Sequence, residues 1–243
     1  MFALYKKELQ SYFLSPAAYV VLAFFTLTFS LTMIMGISGA SANLYEFSFS
    51  SIFYSNLFYL IFTLPLLTMR SFSEERKNGT EVMLLSSPVS VTKIVLAKFL
   101  ATSTIFLIMM LVVMFHPIVT AINGKIILSR LICTFIGFYL CGLVYIALGI
   151  LISSFTESIL LSIVLSEALI LLLILVDNLS NFSLFSSAPI LSDLFDWLSN
   201  QKKFYTFSRG LFRVSDLIGY ITEIFVFVIW TIISVEKRRW SRR

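Results

Sequence analysis

The stretch RSFSEERKNGTEVMLLSSPVSVTKIVLAKFL, Arg70–Leu100, decides how the rest of this chain is organised. It begins as a charged segment between two apolar runs, and because charge is costly in lipid, we expect that segment to lie in water. Pro88 stops helical structure within it, and Thr92 is predicted to start the apolar helix that follows. The charged segment is therefore predicted to connect two membrane spans.

Two short helices are predicted in the charged segment. Ser71 and Glu74 have the spacing of a capping box, which favours a helix start near Ser71. Gly79 suits the left-handed conformation that ends such a helix. Thr80 is placed to cap a second helix through Leu85. A connection built from capped helices is typical of a docking surface, and the alternative is a solvated loop with no partner.

The composition independently indicates a membrane protein. The chain has 58% hydrophobic and 13% charged residues, whereas soluble domains carry about 25% charged residues. A span requires roughly 20 apolar residues, and the segments that meet this length are Ala17–Ile37, Ile52–Met69, Ile94–Phe115, Leu131–Ser153, Ser158–Val176 and Leu217–Val235. We therefore predict an all-α polytopic fold with six transmembrane helices, forming a single transmembrane domain over residues 1–243.

The distribution of basic residues predicts the orientation. With the N-terminus inside, twelve basic residues face the cytoplasm: Lys6, Lys7, Arg70, Arg76, Lys77, Lys93, Lys98, Lys237, Arg238, Arg239, Arg242 and Arg243. Six lie outside: Lys125, Arg130, Lys202, Lys203, Arg209 and Arg213. Because cytoplasmic loops carry the excess of Lys and Arg, both termini are predicted to be cytoplasmic.

Residues 1–14 are predicted to form an amphipathic helix in the inner membrane interface. Aromatic and apolar side chains recur there at helical spacing on one side: Phe2, Tyr5, Leu9, Tyr12 and Phe13. Pro16 then breaks the helix where the chain turns into the membrane. The alternative is a short charged tail without a fixed position.

Residues 177–216 are predicted to be an extracellular loop, the one long stretch outside the spans. Ser192 is placed to cap a helix within it. The apolar stripe of that helix is Leu191, Leu194, Phe195 and Leu198. Such a helix can lie on the outer surface, re-enter the membrane or cover the exit of a translocation path; the alternative is packing against the outer ends of the spans.

Two acidic residues lie within predicted spans and are candidates for a translocation path. Glu167 is near the middle of its span, where an ionised side chain costs about 2.5–3.5 kcal/mol or more. Glu223 is about two turns inside the last span. Both are expected to face a protein interior or a wet cavity, either as cargo or proton sites or through hydrogen bonds between helices.

Small residues in the fourth predicted span indicate close helix contacts. They are Gly137, Gly142, Gly149 and Ser153. Without a large side chain, two helix backbones approach closely, which is a common basis of helix association in membranes.

Three stretches of the chain resemble a known family. The first is SFSEERKNGTEVMLLSSPVSVTKIVLAKFL, with its acidic-acidic-basic run, Gly-Thr pair and Pro-Val-Ser triplet. The second is Met1–Tyr19, which ends in SPAAY, and the third runs from FSRG at Phe207 to EKRRW at Trp240. In this order they resemble type 2 ABC transporter permeases, in particular the small six-span branch with the gliding-motility and copper-enzyme-maturation permeases.

The resemblance implies that the charged segment is the coupling helix that contacts a cytosolic ATPase subunit. The contact residues carried over are Glu74, Glu75, Arg76, Lys77, Gly79, Thr80, Glu81, Met83 and Leu84. It also implies two ATPase copies per transporter, a second permease, identical or paralogous, and a bacterial cytoplasmic membrane.

The chain lacks the G-x-x-x-x-G-K-[ST] phosphate loop, and no nucleophile or metal-ligand pattern is present. We therefore expect it to be no enzyme and to hold no cofactor, with ATP and Mg²⁺ bound by the partner ATPase. The function predicted is the permease subunit of an exporter for a hydrophobic or amphipathic cargo, including peptides. The alternatives are a proton-coupled secondary transporter that uses Glu167 and a membrane scaffold without transport.

Overall fold

The structure, a computed structural model, describes residues 1–39, 49–118, 127–179 and 197–241, and the regular structure in these ranges is entirely α-helical. The helices that position the site are α1 (Phe2–Leu14), α2 (Pro16–Gly39), α3 (Phe49–Thr68), α4 (Ser73–Lys77), α5 (Glu81–Ser86), α6 (Val91–Val113), α7 (Leu128–Phe155), α8 (Ile159–Leu179), α9 (Asn200–Ser208) and α10 (Val214–Ser241). The predicted all-α class is confirmed.

Five stretches are long and apolar enough to cross a membrane: Pro16–Gly36, Ser50–Lys77, Val91–Ile118, Leu128–Phe155 and Val214–Trp240. By length and composition, these stretches indicate a multi-pass membrane protein. The remaining predicted span corresponds to α8, a 21-residue apolar helix whose stretch Ile159–Leu175 is shorter than the other five. The count of six spans stays a prediction.

Helix α7 is the centre of the bundle and packs against α3, α6, α8, α9 and α10. Its glycines allow this because a Cβ atom would overlap the neighbouring helices. A Cβ at Gly137 would lie 2.5 Å from Phe207, one at Gly142 2.2 Å from Phe106, and one at Gly149 2.2 Å from the Thr68 hydroxyl. The predicted close helix contacts are confirmed.

An aromatic cluster fills the core around Phe138 of α7. Its ring centroid lies 5.2 Å from that of Phe53, 5.7 Å from Phe29, 6.3 Å from Phe106 and 6.1 Å from Phe204. These rings come from α2, α3, α6 and α9, so one side chain joins four helices to α7. The cluster is fully shielded from solvent.

Helix α1 packs along the first half of α6. The Tyr5 hydroxyl lies 3.1 Å from that of Thr104, and the Tyr12 hydroxyl lies 2.9 Å from that of Thr102 and 3.0 Å from the Leu67 carbonyl. Phe2 and Phe13 are exposed instead. The predicted aromatic face of α1 thus packs against α6 through its tyrosines, while its phenylalanines are exposed. The break before Pro16 is confirmed, since Ser15 is extended between α1 and α2.

The predicted capping of the short helices is partly wrong. Helix α4 begins at Ser73 after Phe72, without a side-chain cap, so the capping box of Ser71 and Glu74 does not form. Thr80 does precede α5, but its hydroxyl donates to the Glu75 carbonyl and accepts no hydrogen bond from the first turn of α5. Gly79 adopts the predicted left-handed conformation with φ of 70°.

The structure also corrects two predicted boundaries around α6 and the loop of residues 177–216. Helix α6 begins at Val91 after Ser90, not at Thr92. The predicted loop contains α9, which the sequence analysis missed; the Ser199 hydroxyl caps it by accepting a hydrogen bond from the backbone N–H of Lys202. Helix α10 begins at Val214, before the predicted loop ends. The predicted helix at Ser192 lies outside the described residues.

Candidate functional site

The segment between α3 and α6 is the candidate site, and α7 holds its first turn. The backbone N–H groups of Phe72 and Ser73 donate to the Ser153 hydroxyl at 3.0 and 3.1 Å. The same hydroxyl donates to the Met69 carbonyl at 3.2 Å. Because one small side chain satisfies three backbone groups of the turn, the start of α4 is fixed against the cytoplasmic end of α7.

Glu75 attaches α4 to α1 and α6. Its carboxylate lies 2.8 Å from the ammonium of Lys98, which lies 3.2 Å from the carboxylate of Glu8. Only 2% of the Lys98 side chain is exposed, and its ammonium also lies over the Phe72 ring at 5.1 Å from the centroid. A buried ammonium requires charged partners. Glu75 and Glu8 therefore offset the cost of burying Lys98, and the three charges hold α1, α4 and α6 together.

Glu81 attaches α5 to the C-terminal end of α10. Its carboxylate oxygens lie 3.8 Å from Arg76 and 3.6 Å from Arg238, and only 3% of its side chain is exposed. Arg76 also pairs with Glu157 at 2.6 Å and donates to the Ser154 carbonyl at 3.3 Å. The Arg238 guanidinium donates to the same carbonyl. These contacts make α4, α5, α7 and α10 one connected unit.

Arg239 secures the chain that leaves α5. Its guanidinium donates to the carbonyls of Ser87 and Val89 at 3.3 and 3.4 Å. These two residues follow α5 and flank Pro88, whose missing N–H prevents helical continuation. The basic end of α10 therefore holds both ends of the connection to α6.

The outward side of the segment is different in character, and we call it the exposed tip. It consists of the solvent-exposed residues Lys77, Asn78, Gly79, Thr80, Val82 and Met83. Met83 is 77% exposed and Val82 52% exposed. A Cβ atom at Gly79 would meet nothing within 4 Å. Two apolar side chains beside a cation and several polar groups form a surface suited to contact with another protein.

The structure therefore divides the predicted contact residues into two groups. Lys77, Gly79, Thr80 and Met83 are exposed, Glu74 is half-buried, and Leu84 packs against the core. Glu75, Arg76 and Glu81 form ion pairs within the chain. Residues that sequence reasoning missed are Glu8, Val82, Lys98, Glu157 and Arg238. Lys98 lies inside a largely apolar helix, and this was the signal in the sequence that a carboxylate from another helix pairs with it.

Glu223 and Glu167 differ in their surroundings. Glu223 is 2% exposed, and its carboxylate pairs with the Lys203 ammonium, which links α10 to α9. The expectation of a protein interior is confirmed for Glu223. Glu167 is only partly covered, and it shares one face of α8 with exposed Leu160, Val164 and Leu171. The described residues provide it with no hydrogen bond or ion pair.

Metal chemistry is not suggested by the side chains in the described part of the chain. No group of three or more His, Cys, Asp or Glu residues there is arranged to hold a metal ion. Neither Cys133 nor Cys141 forms a disulfide. The candidate site is a surface supported by buried ion pairs.

Comparison with known families gives one informative result. The family model described as "ABC-2 family transporter protein" matches residues 35–235, most of the 243-residue chain. The matched region contains the segment from α3 to α6 and the bundle around α7, while α1 and most of α2 precede it and the basic end of α10 follows it. No curated protein matches the chain.

Proposed function

The chain belongs to the ABC-2 family of transporter proteins, and we propose that it is the permease subunit of an ATP-driven exporter whose separate ATPase docks on the exposed tip. The observation that carries this proposal is the division of the α4–α5 segment. Its outward side is an apolar and polar surface without covering structure, and its inward charges are joined to four other helices.

The inward contacts explain how movement at the exposed tip reaches the membrane. The segment joins α3 and α6, the second and third spans, directly. The segment also contacts α7 through Ser153 and α10 through the Glu81–Arg238 pair. It contacts α1 through Glu75, because Lys98 binds both Glu75 and Glu8. Because interfaces of this kind move as connected units, closure of the ATPase subunits is proposed to shift these helices together and change access to the cargo path.

We further propose six spans with both termini in the cytoplasm. Helix α8 has 21 residues, which at 1.5 Å per residue is roughly 31 Å, enough for a hydrocarbon core of about 30 Å. With α8 included, the chain crosses an even number of times, and the exposed tip and the basic end of α10 share one side. Helix α1 then lies in the inner interface of the bacterial cytoplasmic membrane, with Phe2 and Phe13 towards lipid.

The remaining partners follow from the same proposal. The ATPase, in two copies, binds ATP and Mg²⁺, and this chain binds neither. A second permease, identical or paralogous, covers the face of α8 that carries Glu167, since a carboxylate facing lipid is unfavourable. Glu167 and Glu223 remain candidates for the path of a hydrophobic or amphipathic cargo, including peptides.

Introducing a negative charge at the apolar part of the exposed tip tests the docking surface. Val82→Asp and Met83→Asp are each expected to reduce the co-purifying ATPase at least about tenfold, because loss of a central apolar contact commonly costs over 1 kcal/mol and a buried unpaired carboxylate costs more. The measurement is ATP hydrolysis per permease molecule in material purified from native membranes through a tag on this chain.

The matched control is Leu211→Asp, which introduces the same charge at a 53% exposed apolar residue between α9 and α10. This variant should co-purify with as much ATPase as the unaltered chain does. Full retention in both tip variants contradicts docking at the exposed tip. If the unaltered chain brings down no ATP-hydrolysing partner, the exporter proposal itself is wrong.

Single-cysteine labelling tests the orientation. In a background without Cys133 and Cys141, cysteines at Asn78 and Ser241 should react with a membrane-impermeant maleimide only after the cytoplasmic side is opened. A cysteine at Gln201 should react in intact cells, because the basic residues favour α9 outside. Labelling of Gln201 from the cytoplasmic side alone would show that α8 does not cross.

A further inference from the structure

Two adjoining cavities lie at the corner where α1, α2 and the start of the α4 segment meet. The deeper cavity has a volume of about 290 Å³ and the shallower one about 430 Å³. They share the lining residues Lys7, Ser11, Ser15 and Arg70. They therefore form one continuous recess that opens beside the start of α2.

The charge of the recess changes from its mouth to its depth. The shallower cavity contains two cations, Lys7 and Arg70, with Gln10 and two serine hydroxyls, and no acidic residue among those the structure describes lines it. The Arg70 guanidinium donates to the Ser15 hydroxyl at 3.3 Å, which holds it at this mouth. A mouth with this set of donors is suited to a phosphate group.

The deeper cavity adds acidic residues to the two shared cations. The carboxylates of Glu8, Glu74 and Glu75 line it together with Lys98, so three carboxylates face three cations there. Glu75 Oε1 pairs with Lys98, while its buried Oε2 has no hydrogen-bond partner in the described part of the chain. Ser71, 6% exposed, also lines the cavity. A buried carboxylate oxygen such as Glu75 Oε2 favours a cationic donor.

The recess also lies at the depth of lipid headgroups. Helix α2 is a candidate span that starts at Pro16, so its first turn is at the boundary between lipid and water. Leu14 at the mouth is 84% exposed, and Tyr19 and Val20 on the next turns of α2 are 57% and 67% exposed. An apolar strip therefore leads from the cation-lined mouth into the membrane.

We propose that this recess binds the headgroup of an aminophospholipid. The phosphate lies between Lys7 and Arg70, the primary ammonium reaches Glu74 and the free oxygen of Glu75, and the acyl chains follow Leu14, Tyr19 and Val20. A primary ammonium supplies the N–H donors that these oxygens require, whereas a trimethylammonium has none. An anionic glycerol headgroup offers its phosphate to Lys7 and Arg70 but supplies no cationic donor to Glu74 and the free oxygen of Glu75.

The inference rests on the membrane placement of α2 and not on ATPase docking, so the two proposals fail separately. The test is native mass spectrometry of the full-length, delipidated protein with added phosphatidylethanolamine, phosphatidylglycerol or phosphatidylcholine of identical acyl chains. Phosphatidylethanolamine is expected to bind at least about tenfold more tightly than the other two, because it alone brings N–H donors that form charge-assisted hydrogen bonds with Glu74 and Glu75.

Variants at the two ends separate the contributions. Arg70→Gln should weaken phosphatidylethanolamine and phosphatidylglycerol alike about tenfold, and Glu74→Gln should weaken phosphatidylethanolamine alone. The controls Lys6→Gln and Glu236→Gln change exposed charges that line neither cavity and should bind as the unaltered chain does. Equal binding of the three lipids, or binding unaffected by Arg70→Gln, overturns the proposal.

Soluble competitors distinguish a lipid from a free phosphate compound. Millimolar phosphoethanolamine and inorganic phosphate should leave bound phosphatidylethanolamine in place, because neither reaches the apolar strip. Displacement by either compound at that concentration would show that the recess takes a soluble phosphate compound and would overturn the lipid assignment.

Discussion

Replacing Lys203 by Met is expected to lower the free energy of unfolding by about 3–5 kcal/mol, because it leaves the Glu223 carboxylate buried without its counter-charge. The Lys203 and Glu223 side chains are 7% and 1% exposed. The Lys203 ammonium also lies 5.2 Å from the centroid of the Tyr220 ring. The change therefore removes the charged centre of the α9–α10 contact while keeping a side chain of similar volume.

The double variant Lys203→Met with Glu223→Leu should recover most of this loss, since two apolar side chains replace a buried ion pair at little cost. The measurement is unfolding of the purified protein by SDS titration in mixed micelles. Lys93→Met, at an exposed lysine on α6, is the control and should change stability little. Equal destabilisation of the single and double variants would contradict the pairing as the cause.

Gly142→Val is expected to destabilise the bundle by about 3 kcal/mol, at the upper end of the cost of overpacking. A Cβ atom at Gly142 would lie 2.2 Å from the Phe106 ring. That ring cannot retreat easily, because its centroid lies 5.9 Å from the Tyr139 ring and 6.1 Å from the Phe25 ring. Helices α6 and α7 must therefore separate.

The loss in Gly142→Val should be partly restored by Phe106→Leu, which removes ring atoms at the point of overlap. Thermal aggregation followed by size-exclusion chromatography measures the folded fraction of each variant. Ala23→Val adds comparable bulk at an exposed position of α2 and should leave the folded fraction unchanged. A stable Gly142→Val variant would show that α6 and α7 are less closely packed than the structure has them.

The buried charges around the α4–α5 segment affect how mutations of the predicted ATPase-contact residues can be interpreted. Reversal of Glu75 or Glu81 alters ion pairs that hold α4 and α5 to Lys98 and Arg238, so loss of transport in such a variant reports on the support as well as on the docking surface. Val82 and Met83 are free of this ambiguity because they are exposed.

The sequence by itself determined that this is a helical membrane protein. It also determined where the five candidate spans lie and that a charged segment joins α3 to α6. These properties follow from local hydropathy, since each span is decided by its own residues and the cost of charge in lipid. The close contacts at Gly137, Gly142 and Gly149 were also predictable, because a glycine within an apolar helix marks the absence of a side chain wherever its partner lies.

Only the tertiary structure decided which charges turn inward. Glu8, Glu75 and Lys98 belong to three helices, and Glu81 meets Arg238 from the far end of the chain. Their pairing depends on how α1, α6, α7 and α10 pack, which no local pattern encodes. The position of α9 was likewise decided by the tertiary structure, because this helix is less apolar than the spans. Its Lys203 pairs with Glu223, which the sequence places inside a membrane helix. Ion pairs between distant segments become favourable only after packing has removed both groups from water.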